Sequence, residues 1–196
     1  MNSQKKVLII GGVAGGATAA ARLRRLDESA VIVMFERGEY ISYANCGLPY
    51  YIGGEIKDKS SLTLQTPESF RTRFNVDVRI NSEVIAIDVK TKTVTVRNHS
   101  TDGTYEESYD KLVLSMGAKP ILPNIDGINS DKVFTLRSIP DTFRIKEFID
   151  SKKPRRAAVV GGGFIGVEMA ENLHKAGIEV TIIEMADQLI GTIDYD

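Results

Sequence analysis

Cys46 is the only cysteine among the 196 residues of this chain. It stands in ISYANCGLPYYIGG, residues 41–54, among small, polar and aromatic side chains. A thiolate is the nucleophile of disulfide exchange, and a helix N-terminus lowers the pKa of a cysteine. Residues Gly47 to Ile52 read as a short helix, with Pro49 tolerated in the first turn and Gly53–Gly54 ending it. Cys46 then sits at the electropositive end of that helix. With no second cysteine to pair with, its oxidised form must be a mixed disulfide, a persulfide or a sulfenic acid. The alternative is a structural cysteine buried as a small apolar side chain, the commoner fate of a free cysteine. The polar neighbours Ser42 and Asn45 and the glycine–proline context weigh against it.

Two glycine clusters carry a second kind of chemistry. Gly161, Gly163 and Gly166 fit G-x-G-x-x-G. The first glycine permits a tight turn, the second lets backbone approach a pyrophosphate, and the third lets helix pack on strand. The pyrophosphate would lie at the helix N-terminus, where free N–H groups and the helix dipole favour an anion. Glu184 follows Gly166 by 18 residues, about the spacing at which a carboxylate accepts a bond from an adenosine ribose hydroxyl. The earlier cluster is defective by the strict pattern. Gly11 and Gly16 fill the first and third places, but Val13 occupies the middle one, and Glu36 follows Gly16 by 20 residues. A lone glycine motif is compatible with an ordinary turn in any α/β protein. Here strand, helix, strand and terminal acid recur together, which favours nucleotide binding at both.

The elements that must hold these groups are read from apolar periodicity. Val7 to Ile10 and Val31 to Phe35 are continuous apolar runs, as in buried parallel strands, with helix-forming residues from Ala14 to about Leu26 between them. Ala157 to Val160, Phe164 to about Ala176 and Glu179 to Ile183 repeat the pattern about 150 positions later, with Gly177 as a helix C-cap. Between them, residues 76–120 alternate apolar and polar. There KTVTVRN and YEESYDKLVLS flank HSTDG, and the stretch reads as a small antiparallel meander with a hairpin turn. SIPDTFRIKEFIDSKKP reads as a linker helix, with Asp141 near its start and Pro154 beyond its end. The expected fold is α/β. A Rossmann-like domain over 1–150 carries a small antiparallel meander, and 151–196 is the first βαβ unit of a second Rossmann-like domain.

Composition excludes other classes. Hydrophobic residues make up 42% and charged residues 26%, ordinary for a globular protein, and the net charge is −1 with no basic run, so nucleic acid is not an expected partner. The N-terminal MNSQKKVLIIGGVAGGATAAA imitates a signal peptide, but its glycines and the charged RLRRLDE that follows argue against export and against a membrane span. One cysteine and no disulfide framework point to a reducing, cytoplasmic setting. His99 and His174 have no metal-ligand or triad partner at useful spacing, so no metal is expected. Arg71 and Arg73 could reach a substrate phosphate, but nothing in their spacing demands it.

Taken in order, GGVAGG, S-x-x-x-C-G-L-P-Y-Y-I-G-G, SMGAKP and GGGFIGVE resemble the single-cysteine branch of the pyridine nucleotide–disulfide oxidoreductases. Within it they most resemble the coenzyme A disulfide reductases, including the type with an added rhodanese domain. NADH oxidases and NADH peroxidases are near relatives. The missing middle glycine at Val13 is typical of this branch. The resemblance implies that Gly11, Val13, Gly16, Glu36 and Arg37 hold FAD and that Ser115 and Gly117 pass close to the flavin. It implies that Gly161, Gly163, Gly166 and Glu184 bind NADH or NADPH, and that Cys46 is the catalytic redox centre. It also implies that Thr18, Arg22 and Arg25, on one face of the first helix, join Ser42 and Asn45 in contacting a thiol or disulfide substrate such as coenzyme A. Arginine suits the phosphates of that substrate. The other reading of Arg22 and Arg25 is a solvated basic face paired with Asp27 and Glu28. The resembled family continues past the position of Asp196 and forms homodimers. The expectation for this chain alone is therefore weak FAD binding and no complete catalytic cycle. Three functions follow: reduction of coenzyme A disulfide or a persulfide, an oxidase or peroxidase cycling Cys46 through sulfenic acid, and a nucleotide-binding fragment without turnover.

Overall fold

Every second residue of the first strand enters a different apolar layer, and the chain builds outward from that alternation. The structure, a computed structural model, describes residues 4–193. It divides into two compact units, one formed by the segments through Tyr43 and Thr63–Ala118, the other by Ala44–Leu62 and the chain from Lys119 onward.

In chain order the elements are β1 (Lys6–Ile10), α1 (Ala14–Leu26), β2 (Val31–Phe35), α2 (Leu48–Gly53), α3 (Pro67–Phe74), β3 (Asp77–Arg79), β4 (Ser82–Asp88) and β5 (Thr93–Asn98). Then follow β6 (Gly103–Ser108), β7 (Lys111–Leu114), α4 (Ile139–Lys152), β8 (Arg156–Val160), α5 (Phe164–Lys175) and β9 (Glu179–Ile183). Two short 3-10 turns, Asn45–Gly47 and Lys59–Leu62, flank the α2 segment.

The first unit has three layers. Its middle is a parallel sheet in the order β3-β2-β1-β7. Val7, Ile9, Ile32, Met34 and Val78 point to one face and bury against Ala17 and Ala20 of α1 and Phe70 of α3. Leu8, Val33 and Phe35 point to the other face and bury against Val94 and Val96 of the antiparallel sheet β4-β5-β6. The meander is thus three-stranded, and its last hairpin turns at residues 99–102 as the sequence indicates. Two pieces of the alternating stretch leave it. β3 and β7 join the parallel sheet instead, β7 pairing with β1 from Val7–Lys111 to Ile10–Leu114. The break comes at Tyr109–Asp110, where the Asp110 carboxylate accepts the Lys6 N–H at 2.7 Å and redirects the chain onto β1.

A charged cluster fastens the two sheets of this unit together. Glu107 on β6 accepts from Lys6 on β1 and from Arg79 on β3, and Arg79 also binds Asp77 at 2.8 Å and donates to Tyr105 at 3.2 Å. Partial burial alone would raise the Glu107 carboxyl, but the Lys6 and Arg79 bonds hold it below its ordinary 4.5. A carboxyl lowered in the folded state stabilises above its unfolded value and loses that contribution as pH falls through its folded value. Glu107→Gln is expected to cost about 2 kcal/mol at neutral pH, the scale of hydrogen bonds to charged groups. The parent and the variant should converge in urea unfolding well below pH 4.5. An equal gap at both pH values would show that the charge is not what fastens the sheets.

The second unit is built on α2, α4, α5 and the parallel pair β8-β9. Ile52, Ile145, Met169, Leu173 and Ile178 form its core, with Val159 and Val180 packed against them. The helix over 139–152 is present as the sequence predicts, with a capping box between Ser138 and Asp141. Its role differs from that of a linker, because Ile145 is a core residue of this unit and Ile149 packs against that core. The other face of the pair is open: Val160 is 74% and Ile183 53% exposed. Among the described residues no further strand joins it.

Candidate active site

The two glycine turns are built alike, bond for bond. In the first, Gly11 has φ +99°, and its N–H donates to the Phe35 carbonyl at 2.8 Å. In the second, Gly161 has φ +103°, and its N–H donates to the Ile183 carbonyl at 2.9 Å. The third glycine brings the helix onto the strand end. A Cβ on Gly16 would fall 1.7 Å from the Gly11 oxygen, and one on Gly166 would fall 1.9 Å from the Gly161 oxygen. The middle position begins each helix, and there Val13 and Gly163 are equivalent N-cap residues. A Cβ on Gly163 would meet nothing within 4 Å.

Both terminal carboxylates fold back onto their own turn. Glu36 accepts the Gly12 N–H at 2.9 Å and the Gly38 N–H at 3.0 Å. Glu184 accepts from the N–H groups of Gly162, Met185 and Ala186. Those bonds, the Ala186 N–H foremost, hold the Glu184 carboxyl below its ordinary value. Gly12 and Gly162 were not singled out by the motif. The signal is there in the doubled glycines at 11–12 and 161–162, because a Cβ at either place would collide with Ile41 or Leu189.

The helix starts test whether a dinucleotide phosphate fits. Neither α1 nor α5 has a side-chain cap or an acidic residue in its first turn. By contrast α3 and α4 both have capping boxes, and Glu68 and Asp141 stand in their first turns. The first N–H groups of a helix need partners. The two helices that follow the glycine turns leave theirs without a side-chain partner, as the short α2 also does, and an anion is favoured at such a helix start. Ser115 lies across the first turn, its carbonyl against Gly11 and its N–H on Ile10, and Gly117 follows with φ +69°. Arg37 is exposed beside Glu36.

Thr18, Arg22 and Arg25 share one exposed face of α1. Asp27 does not pair with them: it caps its own turn by accepting from Ser29 and Ala30. Among the described residues no ion pair holds Arg22 or Arg25. Their neighbour Arg24 is structural, donating to the carbonyls of Phe74, Asp27, Glu28, Ala30 and Asn75. Ser42 takes a left-handed backbone, φ +45°, and donates its N–H to the Gly12 carbonyl at 2.9 Å. These residues belong to the first unit.

Cys46 and Asn45 belong to the second unit. Cys46 is exposed and lies in the 3-10 turn Asn45–Gly47 that leads directly into α2. The short helix is therefore where the sequence places it, with Pro49 in its first turn and Gly54 in the left-handed conformation at its end. The Asn45 Oδ1 atom is buried without a hydrogen-bond partner. Among the described residues no cluster of His, Cys, Asp or Glu is arranged to hold a metal, and no helix is long and apolar enough to cross a membrane.

Residues 5–196 match the family model described as pyridine nucleotide-disulphide oxidoreductase. The chain is 43% identical to the coenzyme A disulfide reductase of Staphylococcus haemolyticus over 98% of its own length and 43% of that protein's. The crystal structure of reduced Bacillus anthracis CoADR-RHD is 58% identical, with a TM-score of 0.96 over 98% of this chain and 35% of that one. The structure of an NAD-dependent persulfide reductase from A. fulgidus is 40% identical, with a TM-score of 0.89 over 95% of this chain and 34% of that one. The chain thus spans less than half the length of these relatives.

Proposed function

Because the chain belongs to the pyridine nucleotide-disulphide oxidoreductase family, we propose that it supplies the FAD turn, the redox cysteine and the pyridine nucleotide turn of a coenzyme A disulfide reductase. The observation that carries this is the pairing of two uncapped glycine-turn helices with a single exposed thiol. Residues 1–150 serve FAD, through Gly11, Val13, Gly16, Glu36, Arg37, Ser115 and Gly117. Residues 151–196 begin the NAD(P)H domain, through Gly161, Gly163, Gly166 and Glu184. Bound FAD supplies a two-electron store between the nicotinamide and the sulfur.

The chain's own part in the reaction is sulfur chemistry. The Cys46 thiolate attacks one sulfur of the substrate disulfide, forms a Cys46–S–S–CoA mixed disulfide and releases one coenzyme A thiolate. Two electrons and a proton then return Cys46 to the thiolate and release the second coenzyme A as the thiol. The net change is NAD(P)H, a proton and one disulfide giving NAD(P)⁺ and two thiols. In this reading Thr18, Arg22 and Arg25 offer a hydroxyl and cations to the coenzyme A phosphates, and Ser42 and Asn45 also contact the substrate. A persulfide is the nearest alternative acceptor, favoured by the 40% identity to a persulfide reductase. Rates with coenzyme A disulfide, a persulfide, peroxide and oxygen, measured in a form that turns over, test the reading. The disulfide should be the best acceptor, and faster turnover with peroxide or oxygen would replace it with an oxidase or peroxidase.

The nicotinamide donor is NADH in this reading. Glu184 offers an acceptor to a ribose 2′-hydroxyl and repels a 2′-phosphate, and residues 185–187 include no lysine or arginine. Glu184→Ala should narrow the NADH:NADPH ratio of kcat/KM about tenfold, the worth of one charge-assisted hydrogen bond. A ratio unmoved by that change would place the selectivity elsewhere.

A further inference from the structure

Six residues are too few for a helix to hold its shape alone. What seats α2 therefore also fixes Cys46, which lies two residues before its first residue. Ile52 is fully buried in the core with Met169 and Leu173 of α5. At the C-terminal end of α2 the contact becomes closer. A Cβ on Gly53 would fall 2.6 Å from Asn172 Oδ1, 2.9 Å from Asn172 Cβ and 3.0 Å from the Asn172 carbonyl oxygen. Gly53 is thus pressed directly onto one residue of α5.

Asn172 is fully buried. Its amide N–H donates to the Glu168 carbonyl at 2.8 Å, which fixes the plane of the side chain, while its Oδ1 has no hydrogen-bond partner. A buried acceptor without a partner costs about 1–3 kcal/mol, which an alanine or leucine would avoid. The orphan oxygen faces the Gly53 Cα, a weak C–H donor. On the same face of α5, Lys175 pairs with Glu171 and reaches Glu55 just past α2. Asn172 and Asn45, whose side-chain oxygens are the two buried atoms left unpartnered among the described residues, bracket the α2 segment.

We infer that Asn172 is a positioning residue that sets the depth of α2 through Gly53 and thereby places the Cys46 thiol. The inference rests on the redox reading of Cys46, but its test needs no turnover. Because Cys46 is the only cysteine, alkylation of the full chain by iodoacetamide reports that thiol alone. Asn172→Ala, which creates no clash, should change the alkylation rate constant at least threefold. Gly53→Ala should change it at least fivefold. Adding Asn172→Gly to Gly53→Ala removes both colliding side-chain atoms and should bring the rate back within twofold of the parent, whereas adding Lys175→Ala should not. General loss of stability would not be rescued by a second, helix-weakening glycine. An unchanged rate in Asn172→Ala overturns the inference whether or not Gly53→Ala folds, and so does a double variant no closer to the parent than Gly53→Ala. Failure of Cys46→Ser to abolish reduction would instead overturn the redox reading and leave the positioning result standing.

Discussion

Cys46→Ser is expected to lower disulfide reduction about a thousandfold or more while leaving FAD and pyridine nucleotide binding intact, measured in a form of the enzyme that turns over. The size follows from chemistry: a serine hydroxyl can form neither a disulfide nor a persulfide, and the residues of this chain include no other cysteine. The separation from binding follows from geometry. Both glycine turns, the proposed nucleotide sites, are closed by backbone and carboxylate bonds in which Cys46 takes no part. Retention of the parent rate would remove Cys46 from the mechanism. Loss of flavin along with the rate would make Cys46 a structural residue.

The second large effect separates two glycines three positions apart. Gly166→Ala places a methyl group 1.9 Å from a backbone oxygen that cannot move without opening the turn. The expected cost is about 3 kcal/mol, at the upper end for overpacking, read as a shift in the urea midpoint. Gly163→Ala places its methyl in open space with φ −75°, where an L-residue is unstrained. It should leave stability within about 0.5 kcal/mol and weaken NADH binding instead, because in the proposed site the methyl stands where the pyrophosphate would approach. Equal destabilisation by both would show that Gly163 serves the fold. No effect of Gly163→Ala on NADH affinity would show that the phosphate lies elsewhere. Val13 at the equivalent place in the first turn shows that the backbone itself tolerates a side chain there.

Some of this was legible in the sequence because it is local. The runs at Val31–Phe35 and Glu179–Ile183 meet turn residues at both ends, and the helices from Ala14 and Phe164 follow glycines, so strand and helix limits are marked. The α2 turn was legible from Pro49 and Gly53–Gly54. Pairing was not. The three residues of β3 and the four of β7 alternate like the meander around them, and only backbone bonds to β2 and β1 place them in the parallel sheet. The α4 helix was legible with Asp141 near its start and Pro154 beyond its end, but its burial depends on Ile52 of α2, about ninety residues earlier, and on Met169 and Leu173 of α5. In the site, the glycines and acids were legible by spacing. The return of Glu36 and Glu184 onto Gly12 and Gly162, and the seat of Gly53 on Asn172, depend on three-dimensional closure that no spacing encodes.

The proposed function stands on exchange of Cys46 with a coenzyme A disulfide. Intact-protein mass spectrometry after incubation with coenzyme A disulfide, followed by peptide mapping, tests it directly. The expected product is heavier by one coenzyme A less two hydrogens, located on the peptide that contains Cys46 and removed by dithiothreitol. A chain that stays at its starting mass with the disulfide, yet acquires a dimedone-trapped sulfenic acid at Cys46 with peroxide, would contradict it.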